Sequence, residues 1–67
     1  MEFIVEQKSN ERYIVNLCKF VKSGMFSVDV FDKTKPINPI FVALGLKGLD
    51  NAIAEYKARL TEYLGEV

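Results

Sequence analysis

The sequence contains no histidine and no tryptophan, cysteine occurs once, at Cys18, and proline only at Pro36 and Pro39. Each absence narrows the functions available. Without histidine, a general base working near neutral pH has to be a perturbed carboxylate, a lysine or the lone thiol. A four-ligand zinc site lacks its usual donors, a single cysteine cannot close an internal disulfide, and no cofactor or metal is expected. No apolar run is long enough for a membrane span and no basic, apolar leader is present, so the expected location is cytoplasmic, with no membrane partner. Net charge is also missing, since nine Lys and Arg balance nine Asp and Glu.

What remains is the composition of a small globular domain over residues 1–67, with 49% apolar and 27% charged residues. Domains of this length bury only about 60% of their unfolded surface, so with disulfide and zinc set aside, self-association is the expected source of added stability. Charge is segregated along the chain. Residues 1–11 set Lys8 against Glu2, Glu6 and Glu11; residues 12–47 set Arg12, Lys19, Lys22, Lys33, Lys35 and Lys47 against Asp29 and Asp32; residues 48–67 set Lys57 and Arg59 against Asp50, Glu55, Glu62 and Glu66. The middle is therefore basic and both ends acidic.

The hydrophobic rhythm changes once. Up to about Leu44 apolar residues recur in short, roughly alternating runs, and from Leu49 they recur every three or four, so the chain reads as sheet first and helix last. A first strand is expected over Glu2–Lys8, with Phe3 and Val5 on one side and Ile4 on the other, and a second from about Arg12 to Lys22. Ser23-Gly24 supplies a two-residue turn, and Phe26, Val28 and Val30 alternate with Ser27 and Asp29 in a third strand from Met25 to about Asp32. Residues 32–39 form an extended polar loop. Ile40–Leu44 reads as a fourth strand buried on both faces, with a short helix over Pro39–Gly45 as the alternative, because Asn38-Pro39 is also a helix-start signature. Leu49, Ile53, Tyr56, Leu60 and Leu64 then form one helical stripe that faces the sheet, and Gly65 ends it. The fold class is α+β: a three- or four-stranded antiparallel sheet in β-β-β-β-α order with one C-terminal helix across one face.

One helix covers one face, and this mismatch carries the functional reading. Tyr13, Val15, Leu17 and Val21 share the covered side with Phe26, Val28 and Val30. The opposite side holds Ile14, Cys18, Phe20, Met25 and Phe31 among Asn16, Lys22, Ser27 and Asp29, too apolar for an open surface and too polar for a dry core. Ile14, Phe20, Met25 and Phe31 are the candidate anchors for a protein partner or a second copy. Lys19, out of place among apolar neighbours, is expected to snorkel at an edge or to mark a bulge.

A second reading uses the basic middle. Aromatic residues that stack on bases, beside lysines that meet phosphates, hold single-stranded nucleic acid, and Arg12, Tyr13, Lys19, Lys22, Lys33, Lys35 and Lys47 are the residues for it. The order of four strands and a helix resembles that of the Whirly and PUR single-strand-binding domains, in topology alone. Gly45-Leu46-Lys47-Gly48 resembles the GxxG loop of KH domains, where the loop joins two helices; here a strand-to-helix turn that needs two flexible residues accounts for the glycines. Cys18, with no histidine to activate it, reads as a buried structural thiol. The expected function is non-enzymatic: a small regulatory or accessory protein that docks on another protein, as a homodimer, with single-stranded DNA or RNA binding as the alternative.

Overall fold

The computed structural model describes residues 1–66. Four antiparallel strands, β1 (Glu2–Ser9), β2 (Tyr13–Phe20), β3 (Phe26–Asp32) and β4 (Phe41–Leu46), form a meander in the order β1-β2-β3-β4, followed by α1 (Leu49–Arg59) and a π-helical turn, Leu60–Leu64. The chain is α+β, with α1 packed over β2 and β3 and the π turn against β2. The body measures 32 × 27 × 15 Å, the thin axis being the depth of one helix on one sheet.

The core lies between these layers. Val15, Leu17, Phe26, Val28 and Val30 meet Ala52, Tyr56 and Leu60, with Tyr13, Phe41, Leu46, Tyr63 and Leu64 packed around them. Burying each Val, Leu or Phe side chain is worth about 1.5–3 kcal/mol, so this one face supplies most of the fold's apolar stabilisation. Arg59 reaches β4 with its guanidinium 4.6 Å from the Phe41 ring centroid, and on its own helical segment it pairs with Glu55 at 3.4 Å and Glu62 at 3.1 Å. The helical stripe is centred on Ala52, Tyr56 and Leu60, while Leu49 stands at its rim, 50% exposed. Gly65 adopts the left-handed conformation that ends the helix.

Four local expectations are corrected. The β2–β3 connection is a four-residue loop, Val21–Gly24, closed by Phe20 N–H to the Met25 carbonyl and Gly24 N–H to the Phe20 carbonyl, both 2.9 Å. Val21 therefore sits exposed in the loop instead of on the covered face. The longer loop moves the register by an even number of residues, so Lys19 faces Phe26 and Leu17 faces Val28, and the division of β2 and β3 into two faces survives. Within residues 39–45 the strand forms and not the helix, beginning at Phe41 after Pro39 and Ile40. That strand is not buried on both faces but is an edge, with Val42 and Leu44 exposed.

The fourth correction concerns β1. Its pairing with β2 shifts between Ile4, opposite Cys18, and Glu6, opposite Leu17, leaving Val5 as the extra residue of a β-bulge. Beyond Val5 the alternation inverts. Glu6 and Lys8, which an unbroken strand would place with Ile4, instead share the side of Leu17 and Val15. Lys19 marks no bulge in β2; its ammonium lies 5.6 Å from the Phe26 ring centroid.

Candidate functional site

No described element covers the outer face of the sheet. Across its centre runs a ladder of polar side chains: Gln7 Nε2 donates to Asn16 Oδ1 at 2.6 Å, and Asn16 Nδ2 donates to Asp29 Oδ1 at 2.8 Å. Asn16 and Ser27 are buried, at 6% and 2% exposure, because larger neighbours shield these short side chains. Burial pushes the Asp29 carboxyl above its ordinary pKa, against the stabilising hydrogen bond from Asn16. Cys18, buried beside Ser27, has its thiol pushed up to about 11 by burial, then by the carboxylates of Asp29 and Glu2.

The four candidate anchors lie on this face in two groups. Phe20 and Met25 bracket the β2–β3 loop at one end, and Ile14 pairs with Phe31 at the other. All four are half-buried. Between the groups lie the rows Cys18–Ser27 and Asn16–Asp29, with Ile4 and Val42 exposed at the flanks. The face thus presents two apolar ends around a polar, hydrogen-bonded middle.

The basic residues do not gather on it. Arg12, Lys33 and Lys35 cluster at the end where Lys33 N–H reaches the Arg12 carbonyl at 2.7 Å, and Arg12 Nε lies 3.6 Å from Asp32. Lys19, Lys22 and Lys47 belong to the opposite end, a strand length away, about 20 Å at ~3.4 Å per residue. Tyr13 is on the helix side, where its ring meets Tyr63 edge-on at 5.2 Å. Asp32 starts the β3–β4 loop by accepting from Thr34 N–H at 2.9 Å and Thr34 Oγ1 at 2.7 Å, contacts that hold its carboxyl below the usual range. Gly45 and Gly48 both take positive φ, +68° and +83°, so the backbone itself requires glycine around Lys47.

A second concavity was not anticipated from the sequence. Because α1 covers β2 and β3, β1 projects past it and leaves a cleft of about 630 Å³ between strand and helix. Its walls are Val5 and Leu17 on the sheet and Leu49, Ile53, Tyr56 and Leu60 on the helix, with Glu6, Lys8, Lys57 and Glu66 as its charges. The Val5 bulge puts Glu6 and Lys8 here, and unbroken strand alternation gives no sign of it. Lys8 and Glu66 pair at 3.2 Å.

No protein-family model, curated protein or solved structure matches this chain. No helix among the described residues is long and apolar enough to cross a membrane.

Proposed function

We propose that this chain works without catalysis, as a small accessory or regulatory protein that docks on another protein through the outer face of its sheet. The supporting observation is the pattern of that face: half-buried Phe20 and Met25 at one end, Ile14 and Phe31 at the other, and the Gln7–Asn16–Asp29 ladder between them. Apolar anchors around polar groups of fixed orientation are the anatomy of a specific protein interface. Self-association belongs to the same reading. Both edge strands carry a bulge, but the β4 edge, from Phe41 to Leu46, has no charged residue and exposes Val42 and Leu44, whereas the β1 edge carries Glu2, Glu6 and Lys8.

Nucleic-acid binding is the weaker reading, because the lysines divide between two ends and Asp29 stands at the centre of the face. The test is capture of partners from native extract after nuclease treatment, by wild type and by Phe20→Ser and Phe31→Ser. A protein retained by wild type and lost by both variants supports docking. Material that vanishes with nuclease, and whose binding weakens steeply with salt and with Lys33→Glu, overturns it.

A further inference from the structure

The outer face of the sheet is acidic as well as apolar. Its strand positions bear no lysine or arginine: Lys8 and Lys19 project to the helix side, opposite Val15 and Phe26, and Arg12, Lys22, Lys33, Lys35 and Lys47 lie outside the strands. The charges on the face are two carboxylates, Glu2 opposite Phe20 and Asp29 opposite Asn16.

Both line one open depression of about 320 Å³, walled by the apolar Ile4 and Phe31, with the buried Asn16 and Cys18 beneath it on β2. The Cys18 thiol feels them both, since its pKa is raised by burial and then by Asp29 and Glu2. Gln7 and Asn16 align their amide N–H groups toward Asp29, so the polar ladder ends on a negative charge. A carboxylate has about four acceptor sites, and one of them, on Oδ1, takes the Asn16 hydrogen bond. Among the described residues no lysine or arginine pairs with Asp29.

These charges discriminate between occupants. A partner that covered the face with apolar side chains alone would bury the Asp29 charge unpaired, at a large cost. A second copy packed face to face would bring only the same two carboxylates, and a nucleic acid would bring phosphates. A guanidinium supplies what each of these lacks. Its stem can lie on Ile4, its plane can stack on Phe31, and its N–H fork fits the acceptor sites left on Asp29, with Glu2 adding to the attraction.

We propose that the partner of the outer face is a protein segment that inserts one arginine, less favourably a lysine, into the depression beside Glu2 and Asp29, with apolar neighbours that pack on Ile14 and Phe31 to one side and Phe20 and Met25 to the other. This rests on the outer face being the docking surface and adds the charge of what docks there.

The probe is a random peptide library displayed on phage, selected on wild type and on Asp29→Asn, each checked for folding by circular dichroism. Wild type is expected to enrich peptides in which an arginine or lysine stands among apolar residues, and Asp29→Asn to lose that basic preference. The strongest peptide is then synthesised, together with a version in which glutamine replaces its basic residue. The glutamine replacement and Asp29→Asn should each weaken binding about tenfold or more, and the two together no further than either alone, as a direct charge pair requires. Glu2→Gln should weaken it about two- to threefold, as an exposed charge does. The glutamine peptide needs no variant of the protein, so the charge is tested even where Asp29→Asn misfolds. Selected peptides whose amide shifts centre on Ile4, Cys18 and Phe31 but which show no basic enrichment, or which bind equally after the glutamine replacement, overturn the arginine and leave the docking face standing. No peptide selected by folded wild type, or shifts centred instead on Val5, Ile53 and Leu60, overturns both.

Discussion

Asn16 donates from Nδ2 to Asp29 Oδ1 at 2.8 Å, joining β2 to β3 at the middle of the outer sheet face. The bond favours the ionised carboxylate, yet burial outweighs it and the Asp29 pKa is raised. A carboxyl whose folded pKa is raised holds its proton more tightly in the native state, so its contribution to stability is complete below the unfolded value of about 3.9 and is lost as pH rises through the folded value.

Asp29→Asn is accordingly expected to raise Tm at pH 7, because an amide retains shape and hydrogen bonding without the buried charge. The gain should vanish near pH 3, where the native side chain is already protonated. Asp32 has the opposite sign, since Thr34 depresses its pKa and its contribution fades on acidification. Thermal melts of wild type and Asp29→Asn across this range separate the two. An Asp29→Asn variant less stable than wild type at pH 7 would mean that the ladder needs the charge.

The glycine that precedes α1 gives a second prediction. Gly48 has φ +83° and ψ 143°, a region that L side chains scarcely enter, although a Cβ there would touch nothing. Gly48→Ala should therefore cost about 1–3 kcal/mol through backbone strain alone. Chemical denaturation measures it. A neutral substitution would show that the β4–α1 turn relaxes, and would reopen the question of why two glycines flank Lys47.

The fold was legible because it rests on periodicity. Phe26, Val28 and Val30 alternate, Ala52, Tyr56 and Leu60 repeat at helical spacing, and the β2–β3 faces were robust because the loop error was even. Edges were less legible. The apolar run ending in Leu44 resembles a buried strand, and only the sheet order makes it an edge. The cleft was invisible for a more specific reason. A bulge at Val5 adds one residue to a strand whose sequence is an apolar run, Phe3–Val5, followed by polar residues, so no alternation is there to break and nothing local tells Glu6 and Lys8 to turn toward the helix.

Cys18 supplies a third prediction. At 4% exposure and with its thiol pushed up to about 11 by burial, Cys18 carries little thiolate at pH 8, so a disulfide reagent should label native protein far more slowly than denatured protein. Labelling that keeps pace with the denatured chain would mean that β1 opens readily over Cys18, which Ile4 faces across the ladder.

The last prediction ties stability to the cleft. The Tyr56 ring is core, packed with Ala52, Leu60 and the β2–β3 valines, but its hydroxyl is buried without a well-formed hydrogen bond, the Glu6 carboxylate being the acceptor beside it. Tyr56→Phe retains the ring and removes the orphaned group, so the variant should be more stable than wild type by about 1 kcal/mol, read from urea denaturation with an unchanged slope. Most substitutions in a core of this size destabilise, and a gain here would identify a polar group held at a cost to the fold. A loss instead would show that the hydroxyl finds an internal acceptor, with Glu6 the candidate, since hydrogen bonding to its carboxylate helps to raise the phenol's pKa. Glu6→Ala, which removes the acceptor, decides between these cases. If Glu6 is the acceptor, that change lowers stability and brings it close to that of Tyr56→Phe; if the hydroxyl is unpartnered, wild type and Glu6→Ala melt together and only Tyr56→Phe rises above both.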